Sequence, residues 1–320
     1  MRVAVGEKFS CFAFSRCAVG DDLGDGLALG NGLAVGRTLG LDIGQHWPAW
    51  LGSLAMDEMR EISFVIHATA PAAHPEVLDG ENQALTRACD YVWYGLLLQG
   101  VPSYMEGFTL TGANVAGEIQ VRQFGHVRDY EPTYEMPEFR LDAGAAKLAA
   151  LLGERLGRID VLGSPPWGRL RRGLRALFRG SKEGDGGDRL HEFVRALEAV
   201  VRPDIGNTRN QFAHRAQTFA TASPRARESL LQIFDLRSHV EHMHLAIAAL
   251  EGAEKDRIAV ANHRTRQVDA LARFVFRHVL ESDALLEIFR TEEGIERFWA
   301  LPDDERTRAW GARLDLAGIR

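Results

Sequence analysis

An arginine, three histidines and a glutamate stand close together in the segment 233–244, at Arg237, His239, Glu241, His242 and His244. Histidine is the natural general base near neutral pH. Arginine keeps its charge and offers a fork of donors that fits a phosphate. Together they could support metal-independent cleavage of RNA, in which a 2′-hydroxyl attacks the neighbouring phosphorus and a fixed guanidinium stabilises the phosphorane.

One long helix is predicted to carry this cluster. Ser223 can cap it, Pro224 can be its first residue, and the next Gly or Pro is Gly252. The spacing predicts a buried stripe, formed by Leu230, Ile233, Leu236 or Arg237, Val240, Met243, Ile247 and Leu250. Ser238 and His242 are therefore expected on the sides of the helix, away from the core.

Other interpretations of the same residues stay open. Arg237 and Glu241 are four residues apart, so they could form an ordinary intrahelical ion pair. The histidines could be ordinary side chains on a half-exposed helix. A metal site is a weaker interpretation, because only His239 and His242 share a helix face at the i, i+3 spacing and carboxylate ligands would have to come from elsewhere.

The order Arg237-Ser238-x-x-x-His242, preceded by Phe234 and, earlier in the chain, by Leu197-Glu198-Ala199, resembles the HEPN superfamily. The resemblance covers about residues 185–300, and it is strongest to the HEPN domain at the C-terminus of bacterial defence proteins. Phe234 stands where that family has a tyrosine, and Met243 stands where it has a glycine. The resemblance implies a helical bundle with endoribonuclease activity in a defence or toxin context, and Arg237, Ser238 and His242 as catalytic residues.

Helix geometry adds an expectation about assembly. Residues five apart on an ideal helix are separated by about 140° around the axis, so Arg237 and His242 of one chain should not stand side by side. A site built across a two-fold axis would bring them together, and the HEPN resemblance implies the same homodimer. The expected partners are thus RNA, a second copy, and an antitoxin or defence-system protein. The alternative function is a non-catalytic HEPN-like dimerisation or sensor module.

A second motif with the same gap lies on the preceding predicted helix, at Arg209-Asn210-x-x-x-His214, followed by Arg215. It ranks below the first motif because the resemblance matches Arg215 to a structural arginine. Arg209 and His214 could still face the same groove as Arg237 and His242. We therefore predict that they contact RNA.

The segment 161–182 is the most charge-biased part of the chain, with six cationic residues and no Asp or Glu. Arg171, Arg175 and Arg179 repeat every four residues opposite an apolar stripe, which predicts a short basic amphipathic helix. Three roles compete for it: contact with the RNA backbone, binding at a membrane surface, and a connector whose apolar face docks on the bundle.

The fold predicted from these patterns is α+β, with three parts. Residues 1–140 form a mixed α/β sensor or accessory domain, in which Asn31-Gly32 is predicted to turn a hairpin. Residues 141–187 form a linker helix and the basic segment. Residues 188–320 form an all-α, HEPN-like helical bundle.

Composition narrows the class of protein. The chain has 320 residues, 46% of them hydrophobic, and a net charge of −6, so any RNA contact must come from a local basic patch. Three cysteines without a Cys-x-x-Cys pair argue against a disulfide framework and a cysteine zinc site. No signal-peptide pattern or membrane-length apolar run is present. We expect a cytoplasmic protein with no cofactor, no metal and no membrane partner.

Overall fold

The structure is a computed structural model of the chain. It describes residues 1–15, 17–42, 47–100, 107–127, 140–162 and 166–319. The chain divides into two compact units, Met1–Gly157 and Arg158–Arg320.

Within the described residues, six antiparallel strands of the first unit form one sheet in the order β2-β3-β4-β1-β5-β6. Their bounds are Glu7–Ser15 (β1), Leu27–Gly30 (β2), Leu33–Gly36 (β3), Ile62–Pro71 (β4), Gly107–Val115 (β5) and Glu118–His126 (β6). The helices that accompany them are Trp47–Leu51 (α1), Ser53–Arg60 (α2), Gly80–Gln99 (α3) and Ala143–Leu162 (α4), the last of which spans the division between the units. The class is therefore α+β, as predicted.

The predicted hairpin is present between β2 and β3. Asn31 and Gly32 both have positive φ, 51° and 73°, which a two-residue type I′ turn requires. A Cβ at Gly32 would lie 2.1 Å from the carbonyl oxygen of Thr69. Glycine is therefore needed here for the close approach of β4 as well as for the backbone conformation.

The two faces of the sheet differ in character. One face is apolar, with Phe9, Cys11, Val65 and Leu110 in a buried cluster. The other face packs against α3. Phe14 stacks on Trp93 of α3 near one end of this face, and the opposite end is polar. There Ser10 bonds to Thr86 of α3, and the fully buried Lys8 pairs with Asp79 and Glu81 at the start of α3.

The second unit is built from packed helices. After the end of α4 come Gly168–Gly180 (α5), Gly186–Val201 (α6), Thr208–Ala216 (α7), Pro224–Glu241 (α8), Glu254–Glu281 (α9), Asp283–Ile288 (α10), Glu292–Ala300 (α11) and Asp303–Trp310 (α12). Short 3-10 turns occupy Ala246–Ala249 and Leu316–Gly318.

Helix α6 packs against α5, α8 and α9. Its Asp185 N-cap accepts hydrogen bonds from the backbone of Gly187 and Asp188, and its buried side chains include Leu190, Phe193 and Leu197. A Cβ at Gly187 would lie 3.1 Å from Val240 near the end of α8. Glu198 near the end of α6 also faces Arg237, so α6 contacts the C-terminal part of α8 at both of these positions.

Helix α8 ends earlier than predicted. Ser223 caps it as expected, but the helix stops at Glu241, and His242 is its C-cap. Met243 takes a positive φ of 60° and is 95% exposed, so the predicted extension of the buried stripe through Met243 to Leu250 is wrong. The chain turns instead through the 3-10 segment Ala246–Ala249, which packs against α8 and α9.

Candidate functional site

The guanidinium of Arg237 lies in the seam between α6 and α8 and is 14% exposed. Its Nη2 donates to Glu198 of α6 at 3.3 Å, and its Nη1 donates to Glu241 one turn further along α8. The guanidinium carbon also lies 5.6 Å from the ring centroid of Phe234, within range of a cation–π contact. Three neighbours therefore fix the orientation of this charge, and we call Glu198, Arg237 and Glu241 the arginine clamp.

The two carboxylates of the clamp differ in exposure. The side chain of Glu198 is 21% exposed, whereas that of Glu241 is 46% exposed. Burial raises the pKa of Glu198, and its attraction to Arg237 only partly offsets this. The Nε of Arg237 is buried and has no hydrogen-bond partner among the described residues. The clamp thus has an anchored side toward α6 and a more accessible side at Glu241.

His191 also lies in this environment, although sequence reasoning missed it. It lies seven residues before Glu198 and therefore on the same side of α6. Burial lowers the pKa of His191, and the charges of Arg237 and Arg195 lower it further. Its Nδ1 is buried without a hydrogen-bond partner among the described residues. The i, i+7 spacing to Glu198 is the one signal in the sequence that could have pointed to it.

The three residues of the predicted catalytic motif differ in how exposed they are. Arg237 is mostly buried in the seam between α6 and α8 and is not exposed in an open groove. Ser238 is half-buried, and His242 is exposed beyond the last residue of α8. The neighbouring His239 contacts the carbonyl oxygen of Asp235 through Nδ1 at 3.0 Å.

The second motif is held differently. Arg209 of α7 donates two hydrogen bonds of 2.6 Å to the carboxylate of Asp235 on α8, and it remains 46% exposed. The Nε2 of His214 lies 3.7 Å from a carboxylate oxygen of Asp303, and both side chains are exposed. Arg215 donates to the carbonyl oxygens of Val201 and Arg202 at the end of α6.

Residues Gly168–Gly180 of the basic segment form α5, with Leu170, Leu174 and Leu177 buried, and residues 163–165 lie outside the described residues. Its arginines have acidic neighbours within the unit: Arg175 lies 3.6 Å from Asp160, and Arg179 lies 3.1 Å from Glu192. The apolar face is thus docked on packed helices, as the connector interpretation predicts. Arg175 and Arg179 are 62% and 60% exposed, so their charges remain accessible to an anionic partner.

The described residues contain no group of three or more His, Cys, Asp or Glu side chains arranged to hold a metal ion. Among the helices described, none has both the length and the apolarity that a membrane crossing requires. No protein-family model, curated protein or solved structure matches the chain.

Proposed function

We propose that this chain is a metal-independent endoribonuclease of the HEPN type, with residues 188–320 as the HEPN-like part and Arg237, Ser238 and His242 as its catalytic motif. The observation that carries the proposal is the arginine clamp. A guanidinium fixed by Glu198 and Phe234 is preorganised for an anion, and such fixed charges stabilise the transition states of phosphoryl chemistry.

In this mechanism, when RNA is absent, the carboxylate of Glu241 occupies the position beside Nη1 of Arg237 that a phosphate of RNA takes when it binds. Its carboxylate is the more exposed partner of Arg237 and can swing into solvent, while Glu198 keeps the guanidinium oriented. A phosphate of RNA then accepts from Nη1. His242 removes the proton of the 2′-hydroxyl, this oxygen attacks phosphorus, and the bond from phosphorus to the 5′-oxygen breaks as that oxygen takes a proton from solvent water. The products are a 2′,3′-cyclic phosphate and a 5′-hydroxyl, and no metal ion is required.

The proposal includes a homodimer. His242 lies past the end of α8 and is exposed, whereas Arg237 lies in the seam between α6 and α8. A two-fold axis beside the end of α8 would bring His242 of one copy to the clamp of the other. Light scattering at micromolar concentration should give twice the mass of the chain. A monomer would remove the support for a composite site.

The test of activity is incubation of the purified protein with total RNA in EDTA. Arg237→Ala and His242→Ala should each reduce cleavage about a hundredfold or more, because phosphate stabilisation or the base is lost. His244→Ala is the matched control, since His244 is equally exposed two residues away. Arg209→Ala and His214→Ala should cost less. Full activity in the His242 variant would reject the site, and a strict metal requirement would reject the mechanism.

The basic helix α5 is proposed as an accessory RNA contact. Replacing Arg171, Arg175 and Arg179 together with glutamine should weaken RNA binding and flatten its dependence on salt, because fewer counterions are released. The position of cleavage should not change. Filter binding at several salt concentrations measures the slope. An unchanged slope would leave α5 as a connector only.

A second candidate is a non-catalytic HEPN-like dimerisation or sensor module. It is favoured by the same clamp, because two carboxylates around one guanidinium leave a net negative trio that repels RNA. Absence of cleavage in both the wild type and Glu241→Gln, with the dimer intact, would support this candidate. An antitoxin or defence-system partner would then be sought by co-purification with the products of neighbouring genes.

A further inference from the structure

A small cavity of about 130 Å³ lies in the second unit, apart from the arginine clamp. Arg225 and Ser229 of α8 line one side, and His263, Arg264 and Gln267 of α9 line the other. Leu316 of the last 3-10 turn closes it. Three of these side chains are basic, and the described lining includes no carboxylate. The cavity is therefore positively charged in a chain whose net charge is −6.

Arg264 is the most firmly held of the basic groups. Its Nε and Nη2 donate to Gln232 at 2.9 and 2.8 Å, and its Nη1 donates to Gln267 at 2.7 Å. Gln267 is in turn fixed by donating to the carbonyl oxygen of Leu316 at 2.8 Å. Both partners of the guanidinium are neutral amides. They orient the charge without neutralising it, and each terminal nitrogen of Arg264 keeps a second N–H.

The surroundings add to the positive potential. Burial lowers the pKa of His263, and the nearby charges of Arg264, Arg266 and Arg225 lower it further. The positive charges around the cavity therefore disfavour the protonated form of His263. Arg225 lies in the first turn of α8, whose backbone N–H groups form the positive end of the helix dipole. The charge of Glu228 acts on Arg264, but Glu228 does not line the cavity.

The size of the cavity selects the ligand. Pockets for whole small molecules usually enclose about 300–1,000 Å³, which is more than this cavity offers. Its size suits a single tetrahedral anion better than a whole nucleoside. Arginine forks and helix N-termini are the groups that proteins use for phosphate.

We infer that Arg225, His263 and Arg264 form a binding site for one phosphoryl group, either free phosphate or the terminal phosphate of an oligonucleotide whose remainder stays outside the cavity. The buried Ser229, 3% exposed, offers a hydroxyl donor from the wall. This inference does not depend on RNA cleavage at Arg237.

The experiment titrates the histidine side chains by NMR, with inorganic phosphate added at constant ionic strength. Bound phosphate should raise the pKa of His263, because an anion offsets the three neighbouring arginines. Arg225→Gln should weaken phosphate binding at least about tenfold, the usual effect of losing a charge-assisted hydrogen bond. Arg227→Gln is the matched control, since Arg227 is an exposed arginine in the same helix outside the lining.

A pair of short RNAs that differ only in a 5′-phosphate distinguishes the source of the group. Tighter binding of the phosphorylated RNA, lost in Arg225→Gln, assigns the site to a nucleic-acid end. Equal binding of both RNAs, with inorganic phosphate still shifting His263, assigns it to free phosphate. If phosphate leaves His263 unmoved, or if Arg225→Gln and Arg227→Gln bind phosphate equally, the site is rejected. These outcomes are independent of cleavage, because Arg237 and His242 do not line the cavity.

Discussion

The second unit contains two Arg-polar-x-x-x-His motifs, Arg237–His242 and Arg209–His214, and the fold treats them differently. Arg237 on α8 is 14% exposed and is shared by Glu198 and Glu241, whereas Arg209 on α7 is 46% exposed and faces one carboxylate, Asp235. The same residue types at the same spacing thus give a buried, fixed charge in one place and a surface ion pair in the other. Spacing identifies the residues, but neighbouring helices decide what each can do.

The largest expected difference between the two motifs is in how much each arginine contributes to the stability of the fold. Arg237→Ala should lower the free energy of unfolding by about 3 kcal/mol, because Glu198 is left mostly buried without its partner. Arg209→Ala should cost less than about 1 kcal/mol, as is usual for an exposed pair. Urea unfolding followed by circular dichroism measures both. Equal losses in the two variants would show that the burial of Arg237 has no energetic consequence.

A second prediction concerns Glu198 and pH. Burial raises its pKa above the ordinary 4.5, so the stability it contributes is present below pH 4.5 and is lost as pH rises through the higher pKa of the folded state. Relative to Glu198→Gln, the wild type should therefore lose stability as the pH is raised from 4.5 toward neutrality. Glu241→Gln is the matched control on the same guanidinium. Parallel stability curves for wild type and Glu198→Gln would contradict the assignment.

His191 should show the opposite trend. Its pKa is lowered from 6.5 by burial and by the positive charges of Arg237 and Arg195. Its contribution is therefore present above pH 6.5 and is lost as pH falls through the lower pKa of the folded state. His191→Gln should lose less stability than the wild type on acidification below pH 6.5. In Arg237→Ala the pKa of His191 should rise, which an NMR titration can detect.

The smallest effects are expected at the two motif histidines. His242 and His214 are both exposed, so His242→Ala and His214→Ala should each change the free energy of unfolding by less than about 0.5 kcal/mol. Thermal unfolding of the two variants beside the wild type checks this. A larger loss in His242→Ala would mean that this residue supports the end of α8, and its loss of activity could then not be assigned to chemistry.

Local signals in the sequence predicted much of the fold. The Asn31-Gly32 turn was predictable because few residue pairs accept two positive φ angles, and α3 was predictable from its apolar spacing. Strand β1 was not identified. Its polar–apolar alternation stops after Cys11, because Phe12 and Phe14 are apolar on the face that also holds Lys8 and Ser10. The partners that bury Lys8 and Ser10, Asp79 and Thr86, lie far along the chain, and no local pattern encodes them.

The site was less predictable than the fold. The end of α8 has no Gly or Pro to mark it, and the helix breaks at Met243, an apolar residue that adopts positive φ. The pair of Arg237 with Glu241 follows from the i, i+4 spacing. The pair with Glu198 depends on how α6 and α8 pack, which no local pattern encodes. The sequence thus predicted the accessible side of the arginine clamp but not its anchored side.

The central claim is that Glu241 holds the place of an RNA phosphate on Arg237. The most direct measurement compares the rates of RNA cleavage in EDTA by the wild type, Glu241→Gln and Arg237→Ala at equal protein concentration. Glu241→Gln should cleave faster than the wild type, since one competing carboxylate is removed, while Arg237→Ala should be inactive. Cleavage by Arg237→Ala at the wild-type rate, or slower cleavage by Glu241→Gln than by the wild type, would contradict the account.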